Sequence, residues 1–132
     1  MDFKKFSREY AEEIGGQYQD YDDTRAVIVL PLKDNRFQTV TGHIVYNQLY
    51  NREVVQLKTK VCRLDELIPY EELLTESSDM PYSKFVIEGE FLKVEATSFL
   101  VNLNENMIKE MFSEVANIAD DWEFRITGKD IH

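Results

Sequence analysis

His43 and Cys62 are the pair of residues in this sequence that could act as a base and a nucleophile. His43 and Cys62 lie in two segments that alternate polar and apolar residues, and the alternation predicts that both point to the polar face of a sheet. A thiol attacks efficiently only when a nearby base takes its proton and a third group orients that base. The sequence near the two residues shows neither an orienting acid nor an oxyanion loop, so the pattern favours two ordinary strand residues. The second histidine, His132, is the last residue and a poor candidate for a base.

The acidic segment that begins at Asp20 invites comparison with a calcium-binding loop. Asp20 and Asp22 would occupy the first and third positions of such a loop. The loop needs glycine at its sixth position and glutamate at its twelfth, where this sequence has Arg25 and Pro31. One cysteine and two separated histidines also fall short of the ligands that a structural zinc site requires. The sequence therefore predicts no metal, no cofactor and no enzymatic activity.

The composition narrows the class of protein further. The 132 residues include 25 acidic and 15 basic ones, for a formal net charge of −10, and 43% of the residues are hydrophobic. This hydrophobic fraction suits one packed domain, which we expect to span residues 1–132. The negative charge disfavours nucleic acid and an anionic membrane surface as partners and suits a protein with a basic surface. Because Cys62 is the only cysteine and the N-terminus lacks a signal-peptide pattern, we expect a cytoplasmic protein.

The spacing of apolar residues predicts three helices and five strands. Phe3 and Phe6 begin an apolar stripe at helical spacing that ends before Gly15. We expect this stripe to pack in the core, with exposure toward a partner as the alternative. The polar segment 17–24 reads as a solvated loop. The predicted strands cover residues 26–30, 38–46, 53–63, 84–88 and 91–99.

Two further helices complete the predicted order α-β-β-β-α-β-β-α. Pro69 fits the first turn of a short acidic helix, with Leu73 and Leu74 on its apolar side. Asn104 can cap the last helix, whose apolar stripe predicts an end near Glu123, followed by a loose tail over 127–132. The pattern predicts an α+β fold in which helices cover one face of an antiparallel sheet.

Several segments resemble a known family. They are the strand at 52–61 and the sequences MPYSKF at 80–85, EGEFLKVEA at 88–96 and IADDWE at 118–123. These segments are similar to the YbjN-like family of bacterial proteins, and the order of elements resembles the type III secretion chaperone-like fold. The resemblance implies that fold and a tendency to bind protein. Secretion chaperones are small, acidic, cytoplasmic and dimeric, so the resemblance also implies a homodimer.

One face of the predicted sheet remains for a partner. If helices cover the face that carries Val55 and Leu57, the opposite face mixes apolar and basic side chains within a strongly acidic protein. A solvated sheet face is the plain interpretation, but such a face is also a common docking surface for an extended peptide. We therefore expect a chaperone-like or adaptor domain that holds another protein through this face and the first helix. The candidate residues for partner binding are His43, Val54, Gln56, Lys58, Lys60, Phe91 and Lys93.

Two other classes of function stay open at this point. The acidic stretches 9–23 and 65–79 suit an immunity-type inhibitor that covers a basic toxin or nuclease. A small-molecule sensor with a pocket beneath the last helix is the third possibility, although no motif favours it. Adjacent acidic residues at Asp120 and Asp121 suit solubility, with contact to a basic partner as the alternative.

Overall fold

The computed structural model of the protein describes residues 1–128, which form three α-helices and one six-stranded sheet. The helices are α1 (Phe3–Glu13), α2 (Tyr70–Ser77) and α3 (Glu105–Thr127). The strands are β1 (Gln17–Asp20), β2 (Arg25–Pro31), β3 (Phe37–Asn47), β4 (Arg52–Arg63), β5 (Ser83–Glu88) and β6 (Phe91–Phe99).

Neighbouring strands of the sheet are all antiparallel, in the order β1-β2-β3-β4-β6-β5. Strands β1 to β4 follow one another as a meander, and the segment that contains α2 returns the chain so that β6 lies beside β4. The predicted α+β class and the antiparallel sheet with helices on one face are confirmed. The structure adds one short strand to the predicted order.

That additional strand, β1, lies where the sequence predicted a loop. Its register runs from Gln17 opposite Val29 to Asp20 opposite Ala26, at the edge of the sheet. Only Tyr18 of β1 is half-buried, and the other three residues are exposed. An edge strand that buries almost nothing needs no apolar alternation, so the sequence carries no signal for it.

The covered face of the sheet is joined to α1 through a close contact at Gly42. A Cβ atom at this position would lie 2.4 Å from Cζ of Phe3, so only glycine leaves room for the phenylalanine ring. The ring of Phe3 stacks on that of Phe112 in α3, with 6.2 Å between centroids. Phe3 and Phe6 are both buried, which confirms core packing and removes the apolar side of α1 as a partner surface.

The last helix begins as predicted and ends later. The Asn104 side chain accepts a hydrogen bond from the Met107 amide at 2.9 Å, which caps the first turn. The helix continues past Glu123 to Thr127 and stops at Gly128, whose φ of 71° is the left-handed conformation of a C-terminal cap. The expected end near residue 123 was wrong. The rest of the predicted tail, residues 129–132, lies outside the described residues.

The short helix α2 buries one leucine rather than two. Leu73 is 2% exposed, whereas Leu74 is 68% exposed. A contact between Trp122 of α3 and α2 holds this arrangement, because the indole Nε1 donates a hydrogen bond to Glu76 Oε1 at 3.2 Å. An apolar side chain on α2 is therefore left in solvent, which the helical period alone did not predict.

The two acidic residues near the end of α3 have different environments. The Asp120 side chain is 2% exposed and accepts hydrogen bonds from Arg36 Nε, at 3.1 Å to Oδ1 and 3.0 Å to Oδ2. The hydrogen bonds to Asp120 raise the pKa of Arg36, whose guanidinium also lies over the Phe124 ring at 4.7 Å. Asp121 is half exposed and pairs with Lys33 at 3.3 Å. The expectation that Asp120 serves solubility or a basic partner was wrong, because it ties α3 to the β2–β3 turn.

We expect Asp120→Ala to destabilise the fold by about 3 kcal/mol, because it leaves the mostly buried Arg36 guanidinium without its main partner. The matched control is Asp121→Ala, which removes an exposed ion pair and should cost less than about 1 kcal/mol. Urea denaturation of the two variants beside the parent protein measures both free energies. Equal losses would show that the Arg36–Asp120 pair does not join α3 to the sheet.

Candidate functional site

The uncovered face of the sheet is where the seven predicted partner-binding residues lie. Strand register sets His43 opposite Gln56, and Lys60 opposite Lys93. Their neighbours along each strand are the buried core residues, so these side chains project away from the helices. The face is thus built by the period of two in β3, β4 and β6.

A depression of about 610 Å³ runs across the middle of this face. Every residue that lines it is polar or charged, and together they come from five of the six strands. The lining residues are Arg25, Thr39, Thr41, His43, Gln56, Lys58, Thr59, Lys60, Glu88 and Lys93. A surface of this composition suits a polar or charged ligand better than an apolar one.

The Glu88 carboxylate contacts two of the three lysines that line the depression. Lys58 Nζ lies 2.6 Å from Glu88 Oε2, and Lys93 Nζ lies 2.6 Å from Glu88 Oε1. Hydrogen bonds from Lys58 and Lys93 lower the pKa of Glu88 to about 2, so this carboxyl is ionised at neutral pH. Glu95 stands nearby, with Oε1 at 3.7 Å from Lys58 and Oε2 at 3.5 Å from Lys84.

Lys60 is held differently from the other two lysines. Its Nζ lies 4.1 Å from the centroid of the Phe91 ring, a cation–π contact at an exposed position. Within the part of the chain that the structure describes, no carboxylate oxygen lies within 4.0 Å of this ammonium group. Lys60 therefore carries a charge that is not neutralised within the fold.

The pKa of His43 is lowered by its environment in the depression. Partial burial lowers its pKa, and the charges of Arg25 and Lys58 lower it further, while Asp22 acts in the opposite direction. The imidazole is thus predominantly neutral at neutral pH. Its ring is available as a hydrogen-bond donor and acceptor on the floor of a positively charged surface.

The structure brings five of the seven predicted residues together at the depression: His43, Gln56, Lys58, Lys60 and Lys93. Val54 and Phe91 lie on the same face outside it, opposite Phe99 and Arg63 respectively. The role of all seven residues in partner binding remains a prediction.

Several lining residues were not among the candidates. Thr39 and Thr41 share the polar face of β3 with His43, so the same period of two could have found them. Arg25 fell in the segment that preceded the predicted strand. Glu88 lies at the end of β5, and no sequence signal shows that its carboxylate reaches two lysines from other strands.

Cys62 lies on the covered face of the sheet and away from His43. The register shifts between Lys60, opposite Lys93, and Cys62, opposite Leu92. This bulge adds one residue to β4 and turns Cys62 into the core, where it is 2% exposed. Burial raises the pKa of its thiol to about 11, with smaller effects from nearby acidic residues. The predicted meeting of the two residues on the polar face was wrong.

The acidic segment before β2 is engaged within the chain. Asp22 Oδ1 accepts hydrogen bonds from the amides of Thr24 and Arg25 at 2.9 and 2.8 Å. Asp20 forms an ion pair with Lys4 of α1. These contacts fix the turn into β2. In residues 1–128, no group of three or more histidine, cysteine or acidic side chains could hold a metal ion.

Beside α2, several apolar side chains are exposed. Leu67 is 95% exposed, Leu74 is 68% exposed, and Ile87 on the neighbouring strand β5 is 60% exposed. None of the described helices combines the length and the apolar character that crossing a membrane would require. Leu67, Leu74 and Ile87 are thus three exposed apolar residues in or beside the contacting elements α2 and β5, and none of them lines the polar depression.

The sheet with helices on one face and an open opposite face agrees with the layout predicted for the type III secretion chaperone-like fold. A chain in the crystal structure of the ExsC–ExsE complex shares this fold, with a TM-score of 0.63 over 92% of this chain and 90% of that one. The two chains are 16% identical, so the likeness concerns the fold alone. No protein-family model and no curated protein matches the sequence. The predicted chaperone-like fold is confirmed, and the YbjN-like relationship remains a prediction.

The contacts of Glu88 predict an acid-dependent loss of stability. Because its folded-state pKa of about 2 lies below the ordinary value of 4.5, its contribution is present above pH 4.5 and is lost as the pH falls through about 2. We expect Glu88→Gln to cost about 1 kcal/mol near neutral pH, a modest value because half of the side chain is exposed and screened.

Urea denaturation of the parent protein and Glu88→Gln between pH 7 and pH 2.5 measures this dependence. The difference between the two proteins should shrink as the solution is acidified. Glu90→Gln, which removes an exposed pair with Arg63, is the control and should cost less than about 0.5 kcal/mol at neutral pH. A difference for Glu88→Gln that does not change with pH would contradict the assigned lysine contacts.

Proposed function

We propose that the chain is a non-enzymatic, chaperone-like or adaptor domain that binds another protein through the uncovered face of its sheet. The observation that carries the proposal is this face: it is open, concave and lined by polar side chains, while the opposite face is filled by helices. A sheet face that a fold leaves uncovered and shapes into a depression is a common site for protein recognition.

The likeness in fold supports a protein partner. The comparable chain comes from a complex of two named proteins, ExsC and ExsE, and we extend the idea of a protein partner to this chain. Fold alone is a weak basis for function, so the proposal depends on the surface as well. The partner-binding residues that we propose are His43, Val54, Gln56, Lys58, Lys60, Phe91 and Lys93.

The chemistry of the described residues supports a role without catalysis. The Cys62 thiol is buried, and burial raises its pKa to about 11, which disfavours the reactive thiolate. His43 stands on the other face of the sheet and cannot act as its base. The shared core of helices and sheet supports one domain over residues 1–132.

We further propose that the protein is a bacterial, cytoplasmic relative of the YbjN-like family and forms a homodimer. The segments at 80–85, 88–96 and 118–123 support the family relationship. The exposed Leu67, Leu74 and Ile87, in or beside the contacting elements α2 and β5, support self-association, because a second copy that covers them would remove apolar surface from water. Two copies that meet through α2 would bury these side chains and leave both depressions free.

The partner surface is tested by the matched variants Lys60→Glu and Lys33→Glu. Both reverse one exposed charge, but Lys60 lines the depression whereas Lys33 pairs with Asp121 near α3. We expect Lys60→Glu to lower partner capture at least about tenfold, because charge reversal at the centre of an interface costs more than about 1.4 kcal/mol. Lys33→Glu should capture as the parent protein does.

Quantitative mass spectrometry of proteins captured from the native extract measures this difference, and unfolding midpoints of both variants confirm that they are folded. Equal capture by the two variants would contradict the proposed surface. It would instead favour an inhibitor that binds through its acidic stretches, since such a protein would not depend on Lys60.

The homodimer is tested by Leu74→Asp, with Leu49→Asp as control. Both leucines are largely exposed, but Leu49 lies in the β3–β4 turn away from α2. We expect light scattering to give twice the 15.6 kDa chain mass for the parent protein and Leu49→Asp, and the single mass for Leu74→Asp. A parent protein of single mass, or a control that dissociates equally, would contradict the dimer.

A further inference from the structure

The depression on the uncovered face has a sign of charge opposite to that of the whole chain. Four cationic side chains and one carboxylate line it, whereas the chain carries a net charge of −10. The cations are Arg25, Lys58, Lys60 and Lys93, and the carboxylate is Glu88. Because charges of one sign in a concave surface focus the field, the depression is a local site of attraction for anionic groups.

The lysines of the depression are positioned before any ligand arrives. Glu88 contacts both Lys58 and Lys93, Glu95 lies 3.7 Å from Lys58, and Asp22 lies 3.8 Å from Arg25 Nε. Among the described residues, Lys60 is the lining cation with no carboxylate oxygen within 4.0 Å. Lys60 is stabilised by the Phe91 ring rather than by an acid. An anionic ligand would therefore meet cations whose side chains are already ordered, which lowers the entropic cost of binding.

The floor of the depression is formed by polar side chains that can exchange hydrogen bonds with a ligand. The side chains of Thr41, His43 and Gln56 are polar groups between the cations of β2 and those of β4 and β6. Strand spacing puts β2 about 14 Å from β6, which an extended peptide spans with about four residues. Alternate side chains of such a peptide would face the sheet.

We propose that this depression binds an extended acidic segment of the partner protein, whose carboxylates contact Arg25, Lys60 and Lys93. The inference rests on the proposed function and adds the chemistry of the segment that is recognised. Alternating acidic residues match the geometry, because they place carboxylates on one side of the extended chain, toward the cations. An apolar segment would cover these charged side chains without offering them a hydrogen-bond acceptor.

Two synthetic peptides test the assignment on the intact protein. One is an acetylated and amidated eight-residue peptide that alternates glutamate and serine, and the other has glutamine in place of glutamate. His43 is the reporter, because it lines the depression and its pKa is lowered in part by Arg25 and Lys58. Its NMR signal is assigned with a His43→Gln variant, which separates it from that of His132.

We expect the glutamate peptide to raise the pKa of His43 by about 0.5 or more, because carboxylates offset the neighbouring cations. Binding should weaken about tenfold between 50 and 300 mM salt. Lys60→Gln should weaken it about fivefold, while Lys33→Gln should leave it unchanged. The glutamine peptide should leave the His43 signal unaffected.

Three results would overturn the inference. The first is no change at His43 with the glutamate peptide, or an equal change with the glutamine peptide. The second is the same change with inorganic phosphate at equal concentration, which indicates a simple anion site. The third is salt-sensitive self-association that the peptide displaces, which indicates the acidic surface of a second copy. If Lys60→Glu abolishes partner capture while the peptides have no effect, the partner surface stands and its acidic ligand is wrong.

Discussion

The contact between Phe3 and Gly42 is the constraint on which the shape of this protein depends. Because residue 42 has no side chain, the Phe3 ring reaches the backbone of the central strand β3 and stacks on Phe112 of α3. The two long helices are thereby packed together over one face of the sheet. Burial of that face leaves the other face uncovered, so the core packing of α1 and α3 decides which face is available to the proposed partner.

Positive charge is concentrated on the open face, although the protein as a whole is acidic. Acidic residues dominate the composition, yet the centre of the uncovered face is cationic, and Glu88 holds two of its lysines in fixed positions. Such a distribution favours steering of an acidic segment toward one face and repulsion from the rest of the surface. The exposed apolar residues beside α2 do not line the depression, so the proposed self-association would not compete with the proposed partner binding.

Much of the fold could be predicted because its long elements have strong periods. The helical stripe of α3 and the alternation in β3 and β4 identify the core and the open face, including five residues that line the depression. Features that depend on tertiary contacts could not be predicted. Three such features have no corresponding period of apolar residues in the sequence. They are the bulge that turns Cys62 inward, the edge strand β1 and the pairing of Asp120 with Arg36. The reach of Glu88 to Lys58 belongs to the same group, because it crosses strands that are distant along the chain.

Amine-reactive crosslinking in the native extract, read by mass spectrometry, tests the central claim most directly. The described lysines divide into those that line the depression, Lys58, Lys60 and Lys93, and those on or beside the helices, Lys4, Lys5, Lys33 and Lys109. Lys84 on β5, which pairs with Glu95, belongs to neither group. The account predicts crosslinks to one partner protein that are concentrated in the first group. Partner crosslinks confined to the second group would show that the helical side binds the partner, and the proposed role of the open face would be wrong.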